Sequence, residues 1–245
     1  MKFRTSAIFT GLFCVGFGVF TAAWTVVFIV RGEIVNAVVT LGLSVFCFGF
    51  IIPFFTVVPG KVAPRVNVDD GGTTFWPDRR VEVPMQIALL GGVAAAAAYT
   101  VFAPAGKVTI PIPSFMRYSL PFTSGAFLVT AVPLVWRNFR RGKMKYLRVS
   151  PSGFELEEGW RSESGDWEQV KDVTDAAPGQ RASTSGPVVF VMSDGSAPTI
   201  AAGTITPNGK ALRELVRFYW QHPESRDELT DGAAVKRLAR SLAKG

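Results

Sequence analysis

Few side chains in this 245-residue sequence have the type and spacing that catalysis or metal binding requires. The single histidine, His222, would have to serve any Ser-His-Asp triad, and nothing beside it supports one. The two cysteines, Cys14 and Cys47, sit inside apolar runs and read as small packing residues. Two thiols and one imidazole do not make a structural zinc site. Asp69-Asp70 is a carboxylate pair, but Gly71-Gly72 follows it directly, which is turn chemistry. Glu157-Glu158 reads as the surface of a strand. No P-loop, G-x-S-x-G or H-E-x-x-H pattern occurs. The residues therefore predict a protein that is not an enzyme, with no cofactor and no metal. The densest constellation is basic: Arg137, Arg140, Arg141, Lys143 and Lys145. Such a cluster suits contact with the anionic phosphates of a lipid surface.

The elements that would position this cluster are apolar. Hydrophobic residues make up 48% of the chain and charged ones 18%, below the roughly 25% usual for soluble domains. Residues 1–143 hold 13 Lys/Arg against 5 Asp/Glu, whereas residues 144–245 hold 13 against 14. The net charge of +7 thus flanks the apolar part and leaves the remainder near neutral. That distribution fits lipid-surface electrostatics better than a nucleic-acid footprint, and no nucleic-acid partner is expected. No cysteine lies in the polar part, which excludes a disulfide-stapled domain.

Four runs are long enough to cross a bilayer core of about 30 Å at 1.5 Å per residue. Residues 8–30 carry no charge and are longer than a signal-peptide core, with no clear cleavage site. Residues 34–58 follow after only Arg31, Gly32 and Glu33, which predicts a tight helical hairpin. Residues 85–103 are rich in Gly and Ala, so a neighbouring helix can approach closely. Residues 119–136 end on Trp136, an interfacial anchor type. Asn36, Gln86, Ser44 and scattered threonines are the polar residues within these runs and predict interfacial positions or helix–helix hydrogen bonds. The spans contain no Asp, Glu, Lys, Arg or His, which weighs against a proton or ion path.

Orientation follows from Lys and Arg near the span ends. Lys2, Arg4, Lys61, Arg65, Arg79, Arg80 and the five-residue cluster lie on one side; Arg31, Lys107 and Arg117 lie on the other. Both termini and the linker between spans two and three are expected in the cytoplasm, with the chain in the plasma membrane. The predicted organisation is one transmembrane hairpin over residues 1–60 and a β-hairpin linker over 61–84. A second transmembrane hairpin covers 85–143, a cytoplasmic domain 144–221 and an amphipathic helical tail 222–245.

The cytoplasmic stretches show a short internal similarity. Residues 65–75 (RVNVDDGGTTF) and 148–156 (RVSPSGFEL) both read as strand, Gly-containing turn and strand. Duplication and chance both account for a match this short. Beyond it, strands are predicted over 146–149, 154–157, 166–170, 173–176, 188–192 and 199–202. Residues 178–187 read as a loop. Leu212, Leu215, Val216 and Tyr219 fall on one helical face, and Val235, Leu238, Ala239 and Leu242 on another. A helix over 206–221, capped at Thr206 or Asn208, is predicted.

The segments YLRVSPSGFELEE, GDWEQVKDV, VVFVMSDGS and ALRELVRFYWQHPE, in this order, resemble bacterial pleckstrin-homology-like (PH-like) domains attached to membrane helices. The whole chain resembles actinobacterial (mycobacterial-type) PH-domain-containing multi-pass membrane proteins, and Trp167 matches a tryptophan of such domains. The resemblance implies a membrane α-helical part, four transmembrane helices in two hairpins, plus a cytoplasmic PH-like β-barrel with a capping C-terminal helix. It supplies no catalytic residues. Phosphoinositide-binding relatives grip phosphates with basic residues on the first hairpin, but here that turn is Ser150-Pro151-Ser152-Gly153. The expectation is a non-enzymatic scaffold or protein-interaction module. Its partners would be anionic inner-leaflet lipids without headgroup selection and a protein or a second copy, with no nucleic acid. A small transporter or channel-like oligomer is the alternative.

Overall fold

In an apolar run without water, every backbone N–H must bond within its own segment, and a helix is the structure that allows it. The computed structural model describes residues 2–110, 116, 119–141, 145–159, 161–176 and 186–243, with side chains from Phe9 onward except Arg141. Its four long helices are α1 (Lys2–Val30), α2 (Ile34–Val57), α3 (Arg79–Phe102) and α4 (Ser119–Arg141). All four are long and apolar enough to cross a membrane. The chain divides into two units, one of them Met1–Phe55 with Val83–Gly142, the other Thr56–Glu82 with Lys143–Gly245.

Within the helical unit, α1 turns into α2 at Gly32, whose φ of +73° is a conformation glycine adopts without strain. The α1–α2 seam is polar and buried. Thr25 Oγ1 donates to Thr40 Oγ1 at 2.9 Å, and Ser44 Oγ donates to the Gly18 carbonyl at 3.1 Å. Helix α3 approaches α2 closely along small residues, as its composition predicts. A Cβ on Gly42 would lie 2.5 Å from the Gly91 carbonyl, and one on Gly49 would lie 2.7 Å from the Pro84 carbonyl. Packing this close is the use of small residues in apolar surroundings, where no hydrophobic force drives helices together. Helix α4 leaves Phe122, Val129 and Phe139 more than 70% exposed.

Helix α3 starts six residues ahead of the predicted span because Asp78 caps it. The Asp78 carboxylate accepts the Arg80 N–H at 2.8 Å and the Ala63 N–H at 3.0 Å. Arg65 pairs with Glu82 and donates to the Pro77 carbonyl. The segment between α2 and α3 is thus fastened at both ends inside the sheet unit.

That segment is not a separate linker. Strands β1 (Arg65–Asp69) and β2 (Gly72–Trp76) continue into β3 (Lys145–Val149), β4 (Gly153–Glu158) and β5 (Arg161–Asp166) as one antiparallel sheet, ordered as numbered. Thr73 pairs with Val149, Thr74 with Arg148 and Phe75 with Leu147. Phe75 and Leu147 are both fully buried. A second sheet holds β6 (Val170–Thr174), β7 (Val188–Met192) and β8 (Thr199–Ile200). The expected single barrel is therefore two separate sheets, joined through their apolar faces, with Phe154 and Phe190 stacked at 3.7 Å between ring centroids.

Trp167, expected in a strand, lies in a short 3-10 turn over Trp167–Gln169. Its indole N–H donates to the Ser150 carbonyl, which fixes the passage from one sheet to the next. Helix α5 (Lys210–Gln221) is shorter than the predicted 206–221. Asn208 and Gly209 take φ of +53° and +65°, and this left-handed kink delays the helix. Leu212, Leu215, Val216 and Tyr219 enter the core as the spacing requires.

Residues beyond 221 are no free tail. Helices α6 (Glu228–Asp231) and α7 (Ala233–Ala243) place Leu229, Ala234 and Leu238 in the same core. The Leu229 carbonyl accepts from Thr73 Oγ1 at 2.6 Å. Arg237 forks onto Glu228 at 2.9 Å, and Tyr219 donates its hydroxyl to Glu228 at 3.0 Å. Burial first, and then the Glu228 carboxylate, push the Tyr219 hydroxyl well above the ordinary tyrosine range.

Candidate interaction surfaces

The basic cluster is split by the fold. Helix α4 runs past Trp136 through Arg141, so Arg137 and Arg140 lie on its last turns, where cations complement the helix dipole. Arg140 is exposed, and its guanidinium lies 4.9 Å above the ring of Trp136, itself 60% exposed. An exposed Trp–Arg stack at a helix end is an arrangement suited to a membrane–water boundary. Arg137 is half-buried. Lys143 and the side chain of Arg141 lie outside the described residues.

Lys145 is not available to lipid. It sits opposite Glu158 in the β3–β4 ladder and donates to Glu158 Oε1 at 2.8 Å and to the Ala201 carbonyl at 2.7 Å. Glu158 Oε2 accepts the Ala201 N–H at 3.2 Å. The Lys145 side chain is 12% exposed, and burial draws its ammonium below the usual lysine range despite the neighbouring carboxylate. Glu158 is accordingly a structural partner, and Glu157 is buried, so neither is plain strand surface.

The turns of the two hairpins meet at one end of the first sheet, because β2 and β3 are antiparallel neighbours. Asp69 Oδ1 accepts the Gly71 N–H at 2.9 Å, as the expected turn chemistry requires. Gly72, at φ +135°, passes so close that a Cβ would lie 2.3 Å from the Val149 carbonyl. Beside these turns lies a polar groove of about 430 Å³, lined among others by Ser150, Ser152, Glu155, Ser164, Asp166 and Gln169. Arg148 is the one cation among its lining residues, and Asp69 already holds it at 2.5 Å. Two further carboxylates, Glu155 and Asp166, face the same space. Such a field does not attract phosphate.

The remaining sequence candidates do not converge. His222 is exposed and pairs with Glu224 at 3.0 Å. Cys14 and Cys47 are free thiols on α1 and α2. Among the described residues no three of His, Cys, Asp and Glu come together as a metal site. No family model, curated protein or solved structure matches this chain.

Two polar groups in the helical unit have roles that the sequence left general. Asn36 does not bridge helices. It receives the Thr109 N–H on Oδ1 at 3.1 Å and donates to Thr109 Oγ1 and to Glu33 Oε2. Thr109 Oγ1 donates onward to Glu33 at 2.9 Å, which closes a ring that holds the α3–α4 connection against the α1–α2 turn. Asn138, on the last turns of α4, is 8% exposed with an Oδ1 that has no hydrogen-bond partner in the protein. It lies beyond the predicted end of the fourth run, where the hydropathy signal had already stopped.

Proposed function

We propose that this chain is a multi-pass plasma-membrane protein whose PH-like sheet unit is cytoplasmic and acts as a non-enzymatic scaffold that binds another polypeptide. The observation that carries the reading is the polar groove beside the paired hairpin turns. Its hydroxyls and carboxylates offer hydrogen-bond acceptors and donors, and its one guanidinium is already neutralised by Asp69. That lining favours a peptide's N–H groups and basic side chains over a phosphorylated headgroup. The order of strands closed by α5 supports the PH-like assignment, and the excess of Lys and Arg on one side of the spans supports the orientation. Arg137, Arg140, Arg141 and Lys143 would then rest against the anionic inner leaflet, each worth about 1 kcal/mol within a Debye length.

The buried hydroxyls of α1 and α2 are bonded within that helix pair, which weighs for a scaffold over a polar transport path. Affinity purification of the full chain in mild detergent tests the proposal. The wild type should retain a stoichiometric partner that the double substitution Ser152→Arg, Ser164→Arg loses. Failure of the wild type to retain any partner, or retention by the variant, would refute it.

A further inference from the structure

The outer strands of the two sheets are β1, β5, β6 and β8, and an outer strand offers backbone groups that a further strand can pair with. Three of these edges meet other parts of the fold. Helix α6 lies against β1. On β6, the Val170 and Val173 carbonyls accept from the Trp220 indole and the Arg217 guanidinium, both at 3.0 Å. Beside β8, both backbone groups of Ala201 are held by Lys145 and Glu158. The edge of β5 is different. It pairs with β4 along its whole length without a bulge and contains neither proline nor lysine. The Trp167 N–H donates to the Ser152 carbonyl, which continues the ladder by one step. Hydrogen-bonded and non-hydrogen-bonded pairs alternate along such a ladder. Residues 161, 163 and 165 therefore bond to β4, and the N–H and C=O groups of Ser162, Ser164 and Asp166 point away from it. All three residues are exposed, and among the described residues nothing takes up these backbone groups.

We infer that β5 pairs with β5 of a second copy of this chain, antiparallel across a twofold axis at Ser164. Such a contact needs a strand that complements itself, and β5 does so in one register. Ser164 then faces Ser164 of the second copy, and each Ser162 hydroxyl faces an Asp166 carboxylate. The backbone groups left free by β4 meet one another along the seam as hydrogen-bonded pairs. Between them Glu163 faces Gly165, which has no side chain to obstruct the carboxylate. A slip of two residues sets Glu163 against Glu163 or loses a pair, and like charges directly opposite are destabilising. A slip of one residue turns the free groups of one copy onto groups that β4 already holds. The contact is small beside the ~1,200–2,000 Å² of a stable interface, so sheet units free in solution would not pair. Spans that keep both copies in one membrane raise their effective concentration and let so small a contact suffice. The inference rests on the reading of the helices as membrane-spanning. It does not rest on a groove partner: Arg148, Glu155 and Ser164 of the groove form a row across the face of the sheet, whereas the pairing uses its edge.

The test is disulfide formation by the full chain in its membranes under copper phenanthroline, with the wild type, which keeps Cys14 and Cys47, as the baseline. Facing residues of a hydrogen-bonded pair have Cα atoms about 5.5 Å apart, within reach of a disulfide. Ser164→Cys should give about tenfold more covalent dimer than Ser162→Cys, the ratio that ~1.4 kcal/mol of preference for this register gives. In cells making two differently tagged copies, Ser162→Cys on one should link to Asp166→Cys on the other. Adding Ser164→Pro to both copies removes the N–H at the axis and none of those that bond to β4, and should abolish that mixed link. No link at Ser164→Cys, or equal links at Ser164→Cys and Ser162→Cys, would overturn the inference, as would a mixed link that survives Ser164→Pro. The comparison of single cysteines is decisive even if the proline variant fails to fold. A link from Ser164→Cys to a different polypeptide would give the edge to a partner protein and would overturn it too. Alkaline extraction of the same membranes separates the two levels. Release of the chain would sink the spanning reading and the pairing with it, whereas an embedded chain with no Ser164→Cys link would sink the pairing alone.

Discussion

Replacing Phe75 with alanine should loosen the sheet unit, although Phe75 belongs to the connection between α2 and α3. Its side chain is fully buried against Leu147, in a core whose other members come almost entirely from beyond residue 144. A buried aromatic removes about 150–250 Å² from water, worth roughly 4–6 kcal/mol at ~25 cal/mol/Å². Alanine keeps a little of that, so the expected loss is about 3–5 kcal/mol. A domain of this size has ~5–15 kcal/mol in total, so the variant should be visibly destabilised. Hydrogen exchange on the full chain in nanodiscs reads this strand by strand. Amides of β3 and β4 should exchange several hundred-fold faster in Phe75→Ala than in wild type. Phe122→Ala, at a position 81% exposed on α4, should leave them unchanged. Unaltered protection of β3 and β4 in Phe75→Ala would show that β2 is not an integral strand of that sheet.

A fragment of residues 144–245 alone should aggregate, because β3 would present an unpaired edge; fusing residues 62–78 to it through a flexible linker should restore a monomer by light scattering. Gly42→Leu should drive α2 and α3 apart and cost about 1–3 kcal/mol or more, whereas Gly16→Leu, with open space around it, should be neutral in thermal melts. Tyr219 keeps its proton in the folded state above the pH at which the unfolded chain releases it. The stability it contributes is therefore complete below about pH 10 and is lost as pH rises beyond that. Tyr219→Phe should lower stability at neutral pH through loss of the Glu228 hydrogen bond and flatten the alkaline decline seen by circular dichroism. A decline of unchanged steepness in the variant would assign it to another group.

The helices were legible because their signal is local: a charge-free run of the right length has one physical solution. The small residues of α3 also announced a close neighbour, though not that Gly42 and Gly49 of α2 would supply it. The sheet unit was harder. Each hairpin can be read from its turn, but the pairing of Phe75 with Leu147 joins residues about seventy positions apart, and no local pattern encodes it. Charge counted along the chain groups Lys145 with the other cations, whereas in the fold it pairs with Glu158. The turn Ser150-Pro151-Ser152-Gly153, extended residue by residue, already sets Lys145 opposite Glu158, so the signal was present in the register. Asn138 gives no signal in the sequence because the apolar pattern ends where the last helical turns become basic.

The chain passes between its two units three times, at Phe55/Thr56, Glu82/Val83 and Gly142/Lys143. On the ribosome this imposes a delay. The first hairpin is complete at Trp76, but its partner strand begins at Lys145, after α3 and α4 have been made. At ~5–20 residues per second that is roughly 4–14 s during which β2 waits as half of a two-stranded ribbon, too small to be stable by itself. Two aspartates, Asp69 and Asp70, at the tip of so short a hairpin are the kind of feature that keeps a waiting edge from pairing with the wrong chain. Synthesis of α3 and α4 thus becomes a prerequisite for completing the sheet, and a lesion in either helix should appear first as misfolding of β2 and β3.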